Sequence, residues 1–239
     1  MTRLLLALPF LALPAQAGTF TPPEGCTGWM TVQARACRVS NYYKCSADAA
    51  GDQWRADFDQ DGMFFASRID HEAQWLESLS IPEGTVQTLD ANPVDAASFS
   101  TLLATNLDTW DFRLTKDNGE KRHVTGQDAL TGASVTIDGI TLQQTAFEAN
   151  WFDPEGNIIE RARGNEYIHP EWRMFFSGPG ETDLGDGQWR PIDGRPVEFI
   201  FPGEPGFMST QPVFECDALM SKAVGAEQPI PASYEGSLP

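Results

Sequence analysis

Apolar and polar residues alternate at a period of two through most of this chain. Trp54, Ala56 and Phe58 are interleaved with Arg55, Asp57 and Asp59, and Trp110, Phe112 and Leu114 with Asp111 and Arg113. Alternation of this kind marks a strand with one buried face. With the intervening turn residues it predicts strands over 29–34, 39–46, 54–59, 63–69, 74–79, 85–89, 107–115, 121–126, 140–152, 158–163, 172–177, 188–192 and 197–201. Within 140–152 the apolar parity moves from Ile140 and Leu142 to Phe147, Ala149 and Trp151. One extra residue flips the facing set, so a bulge is expected near 143–145.

One helix is predicted. Asn92 would cap it, Pro93 would take the first position and Asp95 the first turn. Phe99, Leu102 and Leu103 then share a face. Residues 71–79 offer a second short helix as the lesser alternative to a strand. Residues 164–172 and 178–195 read as loops, the latter from its Gly, Asp and Pro content. Residues 222–239 have little that packs and read as a disordered tail. The expected fold class is mainly β: one curved antiparallel sheet forming a barrel or half-barrel with one short helix, with a β-sandwich as the alternative.

The amino-terminal segment changes the picture. Arg3, an apolar run over 4–13 and the small-x-small end Ala15-Gln16-Ala17 read as a secretory signal peptide over 1–17, cleaved after Ala17. The run is too short to span a membrane. A single domain over 18–221 follows, in a periplasmic or secreted setting. The formal net charge of −18 argues against nucleic acid and anionic membrane surfaces as partners.

Four cysteines in an exported chain imply two disulfides. If Arg35 and Ala36 form a two-residue hairpin turn, Cys26 lies opposite Cys45, which leaves Cys37 for Cys216. That tight turn lacks the Gly or Asn such turns prefer.

Candidate chemistry is sparse. Asp57, Asp59, Asp61 and Gly62 have the spacing that opens a calcium loop, but Arg68 stands where the closing bidentate Glu belongs. Solvated Asp residues in a hairpin turn are the plainer reading. Glu166 and His169 form a candidate acid–base pair, without an accompanying nucleophile or metal set. Trp75 and Trp189 lie in the less regular segments and are the candidates for lining a ligand cavity. No HExxH, GxSxG, P-loop or GxGxxG occurs, and no cofactor is expected.

Cys26-Thr-Gly-Trp29, the segment from Cys37 to Cys45 and the segment from Gly164 to Gly178 resemble those of a family of secreted bacterial proteins without an assigned activity. The hairpins with one amphipathic helix are, more loosely, similar to the LolA-like half-barrel lipoprotein carriers. That likeness implies an apolar concavity that holds lipid tails. Many aromatics on strands and no catalytic signature favour a non-enzymatic periplasmic protein that binds an apolar or amphiphilic ligand. The alternatives are a module that docks on an envelope protein and a hydrolase or lyase using carboxylates or His.

Overall fold

A computed structural model describes residues 18–216. The proposed leader over 1–17 and tail over 222–239 lie outside the described residues. Thirteen strands form one antiparallel sheet. The first hairpin joins β1 (Cys26–Ala34) to β2 (Arg38–Cys45), and the meander continues through β3 (Gln53–Asp59), β4 (Gly62–Ile69), β5 (Trp75–Ser80) and β6 (Thr85–Leu89). Helix α1 (Phe99–Thr105) precedes the long strands β7 (Leu107–Lys116), β8 (Lys121–Ile137), β9 (Ile140–Phe152), β10 (Ile158–His169) and β11 (Met174–Asp183). The short strand β12 (Arg190–Asp193) ends one side of the sheet, and β13 (Pro196–Ile200) returns to pair with β1.

Among the described residues the ladder is open, with β12 and β13 as its edges. Backbone pairing therefore does not close a barrel, and one sheet replaces the alternative two-sheet sandwich. Side chains nevertheless meet between strands far apart in the ladder. Tyr42 on β2 lies against Phe176 on β11, with ring centroids 6.1 Å apart, and Gln53 Nε2 on β3 donates to the Trp172 carbonyl at 2.8 Å.

The first hairpin corrects the expected turn. Ala34 pairs with Arg38, so the loop has three residues, and Ala36 and Cys37 take positive φ of 57° and 53°. This shifts the register by one. Trp29 is the compensating bulge, because Gly28 pairs with Tyr43 and Met30 with Tyr42. The two offsets cancel at the far end, where Cys26 faces Cys45. Cys26–Cys45 and Cys37–Cys216 are both bonded.

The helix begins later than expected. Asn92 sits in the left-handed region at φ 59°, well before the start of α1 at Phe99. Ser98 is the N-cap, its Oγ accepting from Thr101 N at 3.1 Å. Asn106, at φ 67°, ends the helix by donating its N–H to the Leu102 carbonyl. Residues 74–79 fall mainly in β5, not in a second helix. The loop predicted over 178–195 shrinks to 184–189, because β11 and β12 pair through Pro179–Asp193 and Thr182–Arg190. Much of the loop predicted over 164–172 belongs to β10.

The parity change in β9 has a different cause from the bulge expected. β9 pairs without interruption with β10 from Gln143 to Trp151. The extra residues lie in β8, between Leu130 and Ser134. Leu142 and Thr145 are both buried, on opposite faces of an uninterrupted strand. Leu142 packs with Tyr167 and Phe176, while Phe147, Ala149 and Trp151 pack with Trp110 and Phe112.

Candidate functional site

An aromatic cavity lies between α1 and one face of β5, β7, β8, β9, β10 and β11. β7 supplies Asp108, Trp110 and Phe112, all on its buried parity. β8 supplies Asp128, β9 supplies Phe147 and Ala149, β10 supplies Glu166, and Trp75, Phe99 and Phe175 complete the aromatic wall. The pocket leaves about 40 Å³ open to the centre of a water molecule. Roughly 10–15 Å³ by this measure admits one water. Gly126 makes room for the Trp110 ring, since a Cβ there would overlap that ring and come 2.5 Å from the Glu148 carbonyl oxygen.

Acids at the polar end of this apolar space are its chemical peculiarity. Asp108 and Asp128 are direct cross-strand partners on β7 and β8. Like charges so placed oppose folding. Asp108, Asp128 and Glu166 are all buried, at 7%, 7% and 4% exposure. Burial first, and then the Glu166 and Asp108 carboxylates, hold Asp128 well above the usual carboxylate range. Burial also pushes Asp108 up to about 6, with Asp95 and Glu72 adding to the shift and the Ser98 N–H opposing it. Asp128 Oδ1 and Trp110 Nε1 are buried without a hydrogen-bond partner among the described residues. Among the described residues no Lys, Arg or His lines the cavity.

The cavity wall at α1 is anchored from both sides. Asp108 Oδ2 accepts from Ser98 N at 2.7 Å, and Glu72 accepts from Ser100 N and Ser100 Oγ, both at 2.8 Å. Arg173, after β10, pairs with Glu72 at 2.8 Å and donates to Ser100 Oγ at 2.8 Å.

Of the residues singled out by sequence, Glu166 and Trp75 line the cavity. Glu166 and His169 do not meet as a pair: they have opposite parity on β10, and the His169 ring stacks on Trp172 with centroids 3.7 Å apart. Trp189 lies outside the cavity, its ring under Arg163 at 4.1 Å and Arg161 at 5.1 Å. Asp57 is a strand residue, buried and ion-paired with Arg55 at 2.8 Å. Asp59 Oδ1 accepts from Asp61 N at 2.8 Å and Gly62 N at 3.1 Å, as in an ordinary turn. Among the described residues no group of three His, Cys, Asp or Glu is placed to hold a metal ion.

Asp108 and Asp128 were missed by sequence reasoning. Their signal was an acid on the apolar parity of its strand: Asp108 is in step with Trp110, Phe112 and Leu114, and Asp128 with Val124. No protein-family model, curated protein or solved structure matches this chain. Its two disulfides suit an oxidising extracytoplasmic compartment. No helix among the described residues is long and apolar enough to cross a membrane.

Proposed function

We propose that this is an exported, non-enzymatic binding protein that takes a small amphiphilic ligand into the cavity beneath α1. The chain would be cleaved after Ala17 and act in the periplasm or beyond it. The observation that carries this reading is the joining of an aromatic wall of Trp75, Trp110, Phe112, Phe147 and Phe175 to a polar end of Asp108, Asp128 and Glu166. Apolar surface taken from water contributes roughly 25 cal/mol per Å², so a small ligand body can be held largely by the rings. A curved, half-barrel shell would supply the concavity. Contacts such as Tyr42–Phe176 and Trp75–Trp151, made between strands remote in the ladder, support that shape.

Native mass spectrometry of protein purified without detergent tests the reading. A reproducible added mass in the wild type, reduced in Ala97→Leu, is the expected result. Ala97 is a half-buried residue lining the cavity, so a larger side chain there narrows it. Bare chain mass in every preparation would count against the proposal.

A second reading is favoured by the raised titration of Asp128 beside Glu166. Two neighbouring carboxylates can divide into an acid and a base, as hydrolases and lyases require. Turnover of a glycoside or ester panel that disappears in both Asp128→Asn and Glu166→Gln would favour it over simple binding.

A further inference from the structure

We propose that the polar end of the cavity receives a primary organic ammonium ion, whose N–H groups donate to Asp128 while its carbon body lies against Trp75, Trp110 and Phe147. The inference rests on the binding reading above and adds the charge and donor character of the ligand.

Asp128 carries it. The residue is 93% buried by its 7% exposure, it lines the cavity, and its Oδ1 has no hydrogen-bond partner among the described residues. An unpartnered buried acceptor carries a penalty of about 1–3 kcal/mol, more when charged. A ligand donor removes that penalty. The charge of the surroundings selects a cationic donor over a neutral one, because Asp108 stands opposite on β7, Glu166 acts on Asp128, and among the described residues none in the lining is basic, while Arg173 at the α1 wall is paired with Glu72. An anionic ligand would meet Asp108, Asp128 and Glu166 at that end, with Glu72 also in the lining. The aromatic wall is equally suited, since ring faces attract a cation within about 6 Å. A bare metal ion fits poorly: the described residues provide no three-residue metal cluster, and beyond Asp108, Asp128, Glu166 and the Arg173-paired Glu72 the lining is apolar. A primary ammonium, with three N–H donors, matches an unpartnered carboxylate oxygen better than a quaternary one, which has none.

A cation also settles the proton balance of the site. Without it, burial first, and then the neighbouring Glu166 and Asp108 carboxylates, favours a protonated Asp128, and burial, with Asp95 and Glu72 adding to it, raises Asp108. A bound ammonium favours the ionised forms, so its arrival expels protons into the solvent.

Isothermal titration calorimetry with benzylammonium and its neutral counterpart benzyl alcohol tests the proposal on the folded wild-type chain. The runs use two buffers of different ionisation heat at pH 6.5, a working value near the raised Asp108 titration. Benzylammonium is expected to bind about tenfold or more tightly than benzyl alcohol and to release protons. Asp128→Asn should abolish both the preference and the proton release. Glu166→Gln, which retains Asp128, should weaken the preference without erasing it. Equal or tighter binding of benzyl alcohol, with no proton release, would overturn the ammonium inference and leave the binding reading standing. Failure of both probes to bind would overturn both.

Discussion

Trp75 and Trp151 are stacked, with ring centroids 6.2 Å apart and planes within 13° of parallel, although three strands lie between β5 and β9 in the ladder. The same Trp75 meets Phe112 edge-on at 5.4 Å. These rings join the cavity wall to the core behind it. Trp151 is wholly buried, so Trp151→Ala removes a large core side chain. A loss of about 3–5 kcal/mol is expected in urea unfolding. Trp75 is only half-buried and its loss should cost less. Equal effects would mean that the stack does not link core and cavity as described.

Stability should fall as pH rises from about 4 to about 8. Asp108 titrates at about 6 and Glu160 at about 8 in the folded chain, and Asp128 is raised as well. Burial is the leading cause in each case. The folded state therefore holds more protons than the unfolded state across this window. The stabilisation is complete below the unfolded carboxylate range and is lost as each folded pKa is passed. The depressed carboxylates, such as Asp186 at about 2, oppose this only under more acidic conditions. Thermal unfolding across the window should show its highest midpoint near the acidic end. A midpoint that climbs towards pH 8 would contradict the raised titrations.

Asp128→Asn should be more stable than the wild type at pH 8, by about 1–2 kcal/mol, and nearly equal to it at pH 5. The substitution removes a buried charge that faces Asp108 and lies near Glu166. Denaturant titrations of both chains at the two pH values measure the difference. A uniform loss at both would mean that Asp128 is a structural anchor.

The two disulfides should contribute unequally. Cys37–Cys216 closes a separation of 179 residues and Cys26–Cys45 one of 19. Chain entropy assigns them about 5 and about 3 kcal/mol. Replacing each pair by Ser and comparing unfolding midpoints should rank the long-range link first. The reverse order would place the stabilisation in the native hairpin.

Gly126→Ala should destabilise by about 1–3 kcal/mol through overpacking. Its Cβ would strike the Trp110 ring and the Glu148 backbone, and the backbone cannot move aside as a flexible side chain would. Unchanged stability, read by urea unfolding, would show that the Trp110 ring has room to shift.

Period-two patterning was enough to reveal most of the sheet, because apolar and polar residues alternate cleanly along β3 and β7; on β7 the alternation separates buried from exposed positions, whereas on β3 Arg55 and Asp57 are buried too, so both of its faces are covered. It failed where the backbone, not the side chains, decides. β8 carries Gly132 and a register shift, and the predicted strand stopped at 126; β11 runs through Gly178, Pro179 and Gly180, so its second half read as loop. The Gly178 and Gly180 positions lie so close to the β10 backbone that a Cβ has no room, and this close pairing explains the glycines. At the site, Trp75 and Glu166 were legible as residue types, but their meeting with Asp108 and Asp128 was not. It depends on strands distant in sequence, and an isolated acid in a strand ordinarily faces water. The Cys26–Cys45 pairing was inferred correctly from a turn of the wrong length, since the Trp29 bulge restores the register.

The seven indoles report directly on the site, because Trp75 and Trp110 line the cavity and Trp151 stacks behind it, while Trp29, Trp54, Trp172 and Trp189 do not line it. Titrating benzylammonium into nitrogen-15-labelled protein, with the indole N–H resonances followed by two-dimensional NMR, should move Trp75 and Trp110 most and leave those four in place. Shifts centred on Trp172 or Trp189, or no saturable shift at any indole, would contradict a ligand site beneath α1.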